Sequence, residues 1–288
     1  MEPDVHTRLF ALLGDPVAHS LSPRMQNAAF RAAGMNGVYV ALRCDARSVP
    51  GLITGIARAN GGGNVTLPHK GVAAEAVEER TEAVARTGAC NTFWLEKGKV
   101  RGDNTDVRAV AAVARSLLGE VRDTYAIVAG AGGAAAGAVY ALLDAGAARI
   151  VIVNRSPARA EELARRLDPG GARVMVSAAP PIEGEEFDLA VNATSLGLRE
   201  GDALPLDLET VRVRAALDLV YRPGETAWTR HARRLGLPAR DGTEVLLLQG
   251  AAAFERWWGR EAPLDAMRAA LENRPDAALD TSSHGNAP

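Results

Sequence analysis

Cysteine and lysine are both scarce in this sequence. Its 288 residues contain two cysteines, Cys44 and Cys90, which form no CxxC pair. That spacing argues against a disulfide framework and predicts reduced thiols in a cytoplasmic protein. The lysines are Lys70, Lys97 and Lys99, whereas arginine supplies most of the positive charge. Each lysine is therefore a candidate for a specific role.

Long apolar runs and an excess of one charge are also missing. The net charge of −2 provides no basic surface, so we expect neither nucleic acid nor an anionic membrane as a partner. The beginning, MEPDVHTRLF, carries acidic residues and no apolar core, which argues against a secretory signal. The histidines show no metal-ligand spacing and GxSxG is absent, so we expect no metal site and no serine hydrolase.

A glycine-rich turn stands out among the features that are present. Residues 125–140, YAIVAGAGGAAAGAVY, predict a strand, a glycine turn and a helix. This order suits a nucleotide pyrophosphate, because backbone N–H groups and the helix dipole face the phosphates. Small residues also occur wherever a strand turns tightly into a helix, so a purely structural interpretation stays open. The candidate cofactor contacts in this turn are Gly130, Ala131, Gly132, Gly133 and Ala134.

The end of the next predicted strand favours NADP over NAD. An NAD site carries an acidic residue about 20 residues beyond the glycine turn. Asn154, Arg155 and Ser156 stand there instead, with Arg159 one helical turn further on. Guanidinium groups pair with a 2′-phosphate, and the amide and hydroxyl can add hydrogen bonds. The alternative is that the arginines simply begin a solvated helix.

Four polar clusters follow predicted strands in the first part of the chain. They are HSLS at residues 19–22, NVTLPHK at 64–70, CNT at 90–92 and NTD at 104–106. Ligands of open α/β sheets bind beyond the carboxyl ends of strands, so these clusters predict one site. They offer hydroxyls, amides, one ammonium and one carboxylate. That set suits a neutral, hydroxyl-rich ring better than a metal or a polyphosphate.

The alternation of predicted strands and helices indicates an α/β protein with two domains. We predict an N-terminal α/β substrate-binding and catalytic domain at residues 1–106 with a mainly parallel sheet. A Rossmann-like NADP-binding domain follows at 107–240. C-terminal helices at 241–274 return to the first domain, and a disordered tail occupies 275–288. Ser22 and Thr105 are predicted helix N-caps.

Nine motifs give the chain a resemblance to the shikimate dehydrogenase family over about residues 9–254. In the family's order they are GDPVAHSLSP, NVTLPHK, GACNT, GDNTD, GAGGAAAGA, NRS, NATSLGL, YRPGET and LLLQGAAAF. The resemblance implies reversible NADPH-dependent reduction of 3-dehydroshikimate to shikimate, in aromatic amino acid biosynthesis. It further implies that two serines bind the substrate carboxylate and that other polar groups hold ring hydroxyls or the carboxylate. These residues are Ser20, Ser22, Thr66, Asn91, Tyr221 and Gln249.

Lys70 is the predicted proton donor to the ketone oxygen, since the cofactor supplies only the hydride. Asp106 is predicted to hydrogen-bond a substrate hydroxyl and to orient the Lys70 ammonium. Asn192 and Thr194 follow another strand and are predicted to line the nicotinamide pocket. Each has a structural alternative: a solvated lysine, a carboxylate in a first helical turn, or a strand-end turn.

Three other functions compete with this prediction. A relative acting on quinate or an amino-shikimate differs by one ring substituent, which is a small difference for a pocket to reject. A non-catalytic metabolite sensor could share the fold, although Lys70 and Asp106 argue against it. A reductase of another acidic metabolite that shares only the nucleotide domain would not explain HSLS and NVTLPHK. We expect a small-molecule substrate and a monomer or homodimer.

Overall fold

The computed structural model of the protein describes residues 3–178, 185–222 and 224–272, which form two six-stranded sheets flanked by helices. The tail predicted at 275–288 lies outside these ranges. Within them, no helix combines the length and the apolar composition needed to cross a membrane.

The first sheet has the strand order β2-β1-β3-β5-β6-β4. Its pairs β1–β2, β1–β3 and β4–β6 are parallel, whereas β5 is antiparallel to both β3 and β6. The strands are β1 Arg8–Gly14, β2 Gly37–Arg43, β3 Gly62–Val65, β4 Glu79–Arg80, β5 Thr92–Glu96 and β6 Lys99–Asp103. The accompanying helices are α1 Ser22–Ala32, α2 Val49–Arg58, α3 Lys70–Ala76 and α4 Glu82–Thr87.

Glycine in β3 allows the central strands of this sheet to approach closely. A Cβ on Gly63 would lie 2.2 Å from the backbone oxygen of Ala11 in β1 and 2.8 Å from the ring of Phe93 in β5. No side chain fits between these neighbours. The glycine run at 61–63 is thus a packing requirement of the sheet.

The second sheet has the order β12-β11-β10-β7-β8-β9, and all its strand pairs are parallel. Its central strands are buried on both faces, which explains their continuous apolar sequences. The strands are β7 Tyr125–Ala129, β8 Arg149–Val153, β9 Val174–Ser177, β10 Glu186–Asn192, β11 Arg212–Asp218 and β12 Ala239–Arg240. The helices are α5 Asp106–Leu118, α6 Gly133–Asp144, α7 Pro157–Leu167 and α8 Ala227–Arg234.

The last two helices are α9 Gly242–Trp258, which packs against β3 and β5 of the first sheet, and α10 Leu264–Glu272, which packs against α1 and α9. Phe254 and Trp257 of α9 join a buried cluster with Phe10 and Phe30. The ring centroids of Phe10 and Trp257 are 4.9 Å apart, and Trp257 Nε1 donates to the Phe93 carbonyl at 3.2 Å. The aromatic C-terminal segment therefore completes the core of the N-terminal half.

Of the two predicted N-caps, Ser22 was wrong, and Thr105 occupies the N-cap position without a side-chain cap bond. Helix α1 begins at Ser22 itself, with Leu21 in the cap position. Thr105 does precede α5, but its hydroxyl makes no cap bond and instead contacts Asn91 and Thr92. The Thr105 hydroxyl thus bonds to buried side chains at the start of β5 instead of to a backbone N–H of α5.

Candidate active site

Several polar residues meet at one edge of the first sheet because of its strand directions. Asn64 at the end of β3 pairs with Thr92 at the start of β5, which pairs with Asp103 at the end of β6. The segments that follow β3 and β6 and the segment that precedes β5 therefore share this edge. These segments carry Thr66, Lys70, Asn91 and Asp106.

Lys70 and Asp106 form the charged centre of this edge. Each is the first residue of a helix, α3 and α5 respectively. Lys70 Nζ donates to Asp106 Oδ2 at 2.5 Å, and the two side chains are only 17% and 15% exposed. Asn91 Nδ2 donates to the other carboxylate oxygen, Oδ1, at 2.8 Å. Both oxygens of Asp106 are thus held by donors from different elements.

Helix α9 brings a fourth polar group to this centre. Asn91 Nδ2 lies 3.5 Å from Gln249 Oε1, and Gln249 Nε2 donates to the Leu246 carbonyl at 2.9 Å. Lys70, Asp106, Asn91 and Gln249 therefore form one connected cluster.

The other residues predicted to contact the substrate are Ser20, Ser22, Thr66 and Tyr221. Ser22 donates its backbone N–H to Ser20 Oγ at 3.2 Å at the start of α1. Thr66 follows β3 and packs beside Gly14, where a Cβ would lie 2.3 Å from the Thr66 Cγ2. Tyr221 follows β11 and packs against the apolar cluster that holds α9. In the described part of the chain, neither serine nor Thr66 hydrogen-bonds to the four clustered residues.

The glycine turn stands at the carboxyl end of β7, as predicted. Gly130 has φ of +115°, and a Cβ there would lie 2.7 Å from the Ala193 carbonyl oxygen. Both features require glycine. A Cβ on Gly132, just before α6, would meet no atom within 4 Å. Open space in front of a helix N-terminus fits the phosphates of a dinucleotide.

The residues predicted to select NADP lie at the end of β8. Asn154 Nδ2 donates to the Ser156 carbonyl at 2.9 Å, which shapes the turn into α7. Arg155 and Arg159 are exposed, and neither guanidinium is engaged by an ion pair or hydrogen bond within residues 3–178, 185–222 and 224–272. Both cations remain available for a phosphate.

Asn192 and Thr194 belong to a buried network that the sequence did not reveal in full. Asn192 Oδ1 accepts from the backbone N–H and the hydroxyl of Thr194, and its Nδ2 donates to Asp218 Oδ1 at 2.8 Å. Asp218 is fully buried at the end of β11 and also accepts from Val220 N and Thr226 Oγ1. Burial raises the pKa of Asp218 to about 6. A carboxylate at a strand's carboxyl end was the sequence signal that could have identified it.

No group of three or more His, Cys, Asp or Glu side chains among the described residues has the arrangement of a metal site. The site offers hydrogen-bonding groups, one ammonium and a glycine turn. The second, parallel sheet carries the glycine turn, and the Lys70–Asp106 pair lies beside it at the edge of the first sheet. Together these features define a two-sheet α/β dehydrogenase.

Comparison with known proteins narrows this class. Family models match residues 12–93 (shikimate dehydrogenase substrate binding domain), 112–195 (shikimate / quinate 5-dehydrogenase) and 242–272 (shikimate 5'-dehydrogenase C-terminal domain). The NADP(+) shikimate dehydrogenase of Rubrobacter xylanophilus is 44% identical over 275 residues, which cover 93% of this chain and 96% of that protein. That of Methanopyrus kandleri is 37% identical, with coverages of 93% and 96%.

Solved structures of similar proteins point to the same family. Shikimate dehydrogenase from Aquifex aeolicus superposes with a TM-score of 0.85 at 31% identity, covering 94% of this chain and 100% of that one. The Thermus thermophilus shikimate 5-dehydrogenase, in complex with NADP(H) and shikimate, gives 0.80 at 36% identity, with coverages of 92% and 98%. The chain belongs to the shikimate dehydrogenase family.

Proposed function

We propose that this protein catalyses the reversible NADPH-dependent reduction of 3-dehydroshikimate to shikimate, a step of aromatic amino acid biosynthesis. The observation that carries the proposal is the Lys70–Asp106 pair, held at 2.5 Å on the sheet edge that faces the glycine turn. This geometry supports the assignment of Lys70 as a proton donor to a ketone oxygen beside the turn that we assign to the dinucleotide. Family membership makes shikimate the first substrate to test.

Lys70 delivers the proton. When bound, NADPH supplies the hydride that reduces the carbonyl carbon. Lys70 then gives a proton to the carbonyl oxygen and takes it back in the reverse direction. Its ammonium has three donor positions, of which one is directed at Asp106, so the others remain for the substrate.

Asp106 positions the ammonium and binds a substrate hydroxyl. Its carboxylate accepts from Lys70 on one oxygen and from Asn91 on the other. Each carboxylate oxygen has a second lone pair, which leaves room for a ring hydroxyl. The low exposure of both side chains strengthens these bonds by excluding water.

The ring is held by residues around the pair. We assign the substrate carboxylate to Ser20 and Ser22, because the N-terminus of the eleven-residue α1 favours an anion at this point. Tyr221 is assigned to the same carboxylate. Asn91 and Gln249 are assigned to ring hydroxyls or the carboxylate, since they join the hydrogen-bonded cluster of Lys70 and Asp106. Thr66, which follows β3 at the same sheet edge, is assigned to the same substrate groups.

NADP is assigned to the second sheet. The backbone of residues 130–134 holds the pyrophosphate, and Arg155 and Arg159 hold the 2′-phosphate with help from Asn154 and Ser156. Asn192 fixes the turn that presents Thr194 to the nicotinamide. We accordingly assign residues 1–106 to the substrate domain, 107–240 to the NADP domain and 241–274 to the helices that return to the first domain.

The remaining proposals concern location and partners. Cys44 and Cys90 are free thiols, and burial raises the pKa of Cys90 to about 12. Protonated, unpaired thiols suit the reducing cytoplasm. The net charge of −2 favours small-molecule substrates over nucleic acid. We propose a monomer or homodimer.

Steady-state kinetics with purified protein test the function directly. Oxidation of shikimate and quinate is measured, each with NADP⁺ and NAD⁺, and an amino-shikimate is included as a third substrate. We expect the highest kcat/KM for shikimate with NADP⁺. A higher value for quinate or the amino-shikimate would reassign the substrate. Ligand binding without turnover of any pair would indicate a sensor.

A further inference from the structure

Four buried polar residues form a hydrogen-bonded network with Asn91. They are Tyr39 of β2, Asn64 of β3, Thr92 of β5 and Thr105 before α5, and each is at most 5% exposed. None has been assigned to the substrate or the cofactor. Burying a polar group costs free energy unless its donors and acceptors are satisfied. A connected set of four in the core is therefore a candidate for a specific role.

The hydrogen bonds of Tyr39 and Asn64 have defined directions. Asn64 Nδ2 lies 3.1 Å from the Asn91 backbone oxygen, which can only accept. That atom of Asn64 must therefore be the amide nitrogen, and its Oδ1 faces the Tyr39 hydroxyl at 2.8 Å. Tyr39 consequently donates to Asn64.

The directions of the hydrogen bonds from Thr92 and Thr105 to Asn91 are determined in the same way. Thr105 donates its backbone N–H to Asn91 Oδ1 at 2.8 Å, and a backbone N–H can only donate. Thr92 Oγ1 accepts from Asn64 Nδ2 at 3.0 Å, which leaves its own proton for Asn91 Oδ1 at 2.9 Å. The Thr105 hydroxyl adds a third donor at 3.1 Å.

The orientation of the Asn91 amide is thereby settled. Its oxygen faces three donors in the core, so its nitrogen faces the Asp106 carboxylate. The opposite orientation would place an amide oxygen against a carboxylate oxygen and a nitrogen against donors. Asp106 would then lose a partner and rotate away from Lys70.

We propose that Tyr39, Asn64, Thr92 and Thr105 are positioning residues, which act through the Asn91 amide to hold the Asp106 carboxylate beside Lys70. This inference rests on the proposed function of Lys70 and Asp106. The residues act on the turnover step, because a small displacement of reacting groups slows a reaction more than it weakens binding of a remote ligand.

Thr92→Val is the main test variant, since valine has nearly the shape of threonine but lacks the hydroxyl. We expect kcat for shikimate oxidation to fall about fivefold, the effect of one neutral hydrogen bond, with the KM for NADP⁺ unchanged. The double variant Thr92→Val/Thr105→Val should fall further, because only the backbone donor remains. Thr92→Ser keeps the hydroxyl and should restore most of kcat.

Thr124→Val is the control. Thr124 is a part-buried threonine that precedes β7, at the end of that strand opposite the glycine turn, and its hydroxyl donates to the Val121 carbonyl at 2.6 Å. Loss of this hydroxyl should lower thermal stability and leave kcat unchanged. Equal kcat in wild type and a folded Thr92→Val, or an equal loss of kcat in Thr124→Val, would overturn the proposal.

Tyr39→Phe decides the question if Thr92→Val does not fold. It removes only the terminal hydroxyl, and we expect kcat to fall about twofold with NADP⁺ binding intact. Unchanged kcat in a folded Tyr39→Phe would then overturn the proposal.

A crystal structure of Thr92→Val separates this inference from the proposed function. We expect the Asn91 Nδ2 to Asp106 Oδ1 distance to exceed the wild-type 2.8 Å by enough to break the hydrogen bond. An unchanged distance would refute the positioning role whatever the substrate. Absence of shikimate turnover in wild type would instead refute the proposed function.

Discussion

Gly133 packs directly against Lys70. A Cβ on Gly133 would lie 3.3 Å from the Lys70 Cβ and 3.4 Å from its Cδ, so any side chain there would press on the lysine stem. The first residue of α6 and the first residue of α3 are thus in contact. This contact brings the glycine turn, our proposed cofactor site, next to Lys70, our proposed proton donor.

Replacing Lys70 with alanine should reduce kcat by about 10²- to 10⁴-fold, the usual contribution of a general acid or base. NADP⁺ affinity should change little, because its assigned contacts lie on the second sheet. The measurements are shikimate oxidation kinetics and NADP⁺ titration calorimetry. Lys99→Ala is the control, since that lysine is 59% exposed and pairs with Glu79. Full activity of Lys70→Ala would remove this residue from the mechanism.

Lys70 and Asp106 should behave as one unit. The doubly substituted Lys70→Ala/Asp106→Asn protein should turn over shikimate no more slowly than the slower single variant, because either change already disables the pair. The three kcat values are compared in a double-mutant cycle. A double variant whose loss equals the product of the single losses would show that the two side chains act independently.

Arg155→Ala should weaken NADP⁺ by about 10- to 100-fold and leave NAD⁺ nearly unaffected. A hydrogen bond to a charged phosphate contributes about 1.5–3 kcal/mol, and NAD⁺ lacks the 2′-phosphate. Calorimetric Kd values for both nucleotides measure the effect. Arg165→Ala in α7, the helix that follows Arg155, is the control, since that side chain is 71% exposed. Equal weakening of both nucleotides by Arg155→Ala would disprove the assignment.

Asp218 should make folding stability fall as the pH rises. Burial, together with the nearby Asp241 carboxylate, raises its pKa from 3.8 to about 6 in the folded state. The native protein then binds more protons than the unfolded chain between those values. Stability from this group is complete below pH about 3.8 and lost above about 6, at a cost of about 3 kcal/mol.

Asp218→Asn should flatten that dependence. The amide oxygen can still accept from Asn192 and Val220, and the amide nitrogen can donate to the Thr226 hydroxyl. Urea unfolding of both proteins from pH 4 to pH 7 gives the comparison. The variant should become the relatively more stable protein at neutral pH. A wild type that gains stability over the variant through this window would contradict the sign.

Two helical glycines should respond to alanine in opposite ways. A Cβ on Gly250 of α9 would lie 2.2 Å from Met25 Cε and 3.2 Å from Gln26 Nε2. Gly250→Ala should therefore destabilise the protein by about 1–3 kcal/mol through overpacking. Gly55 of α2 has open space around its Cβ position, and Gly55→Ala should stabilise by about 0.5–1 kcal/mol. Denaturant unfolding measures both, and equal effects would contradict the packing of α9.

Local patterns in the sequence predicted most of the helices, strands and turns. The sequence predicts helices at residues 106–118 and 157–167, and these are the bounds of α5 and α7. Apolar spacing and end residues mark a helix within a few positions. The glycine turn after β7 was likewise visible, since strand, turn and helix are contiguous. The turn residues Lys97 and Gly98 predict a short strand on either side of them, and the β5–β6 hairpin lies there, with both residues at positive φ.

The partners of individual polar side chains were not visible in the same way. Thr105 has the chemistry of an N-cap, yet its hydroxyl bonds to Asn91, fourteen residues earlier in the chain. Asp218 was not singled out from the sequence, because its partner Asn192 belongs to β10 and lies 26 residues earlier in the chain. In both cases a long-range partner outcompeted the local one.

By itself, the sequence determined the order of strands and helices, the glycine turn and the polar motifs that mark the family. These depend on residues close together in the chain. Only the tertiary structure decided that Gln249 meets Asn91 across 158 positions and that four buried side chains orient that amide toward Asp106. Such contacts arise when sheets and helices pack, and packing depends on shape and hydrogen-bond direction between distant segments.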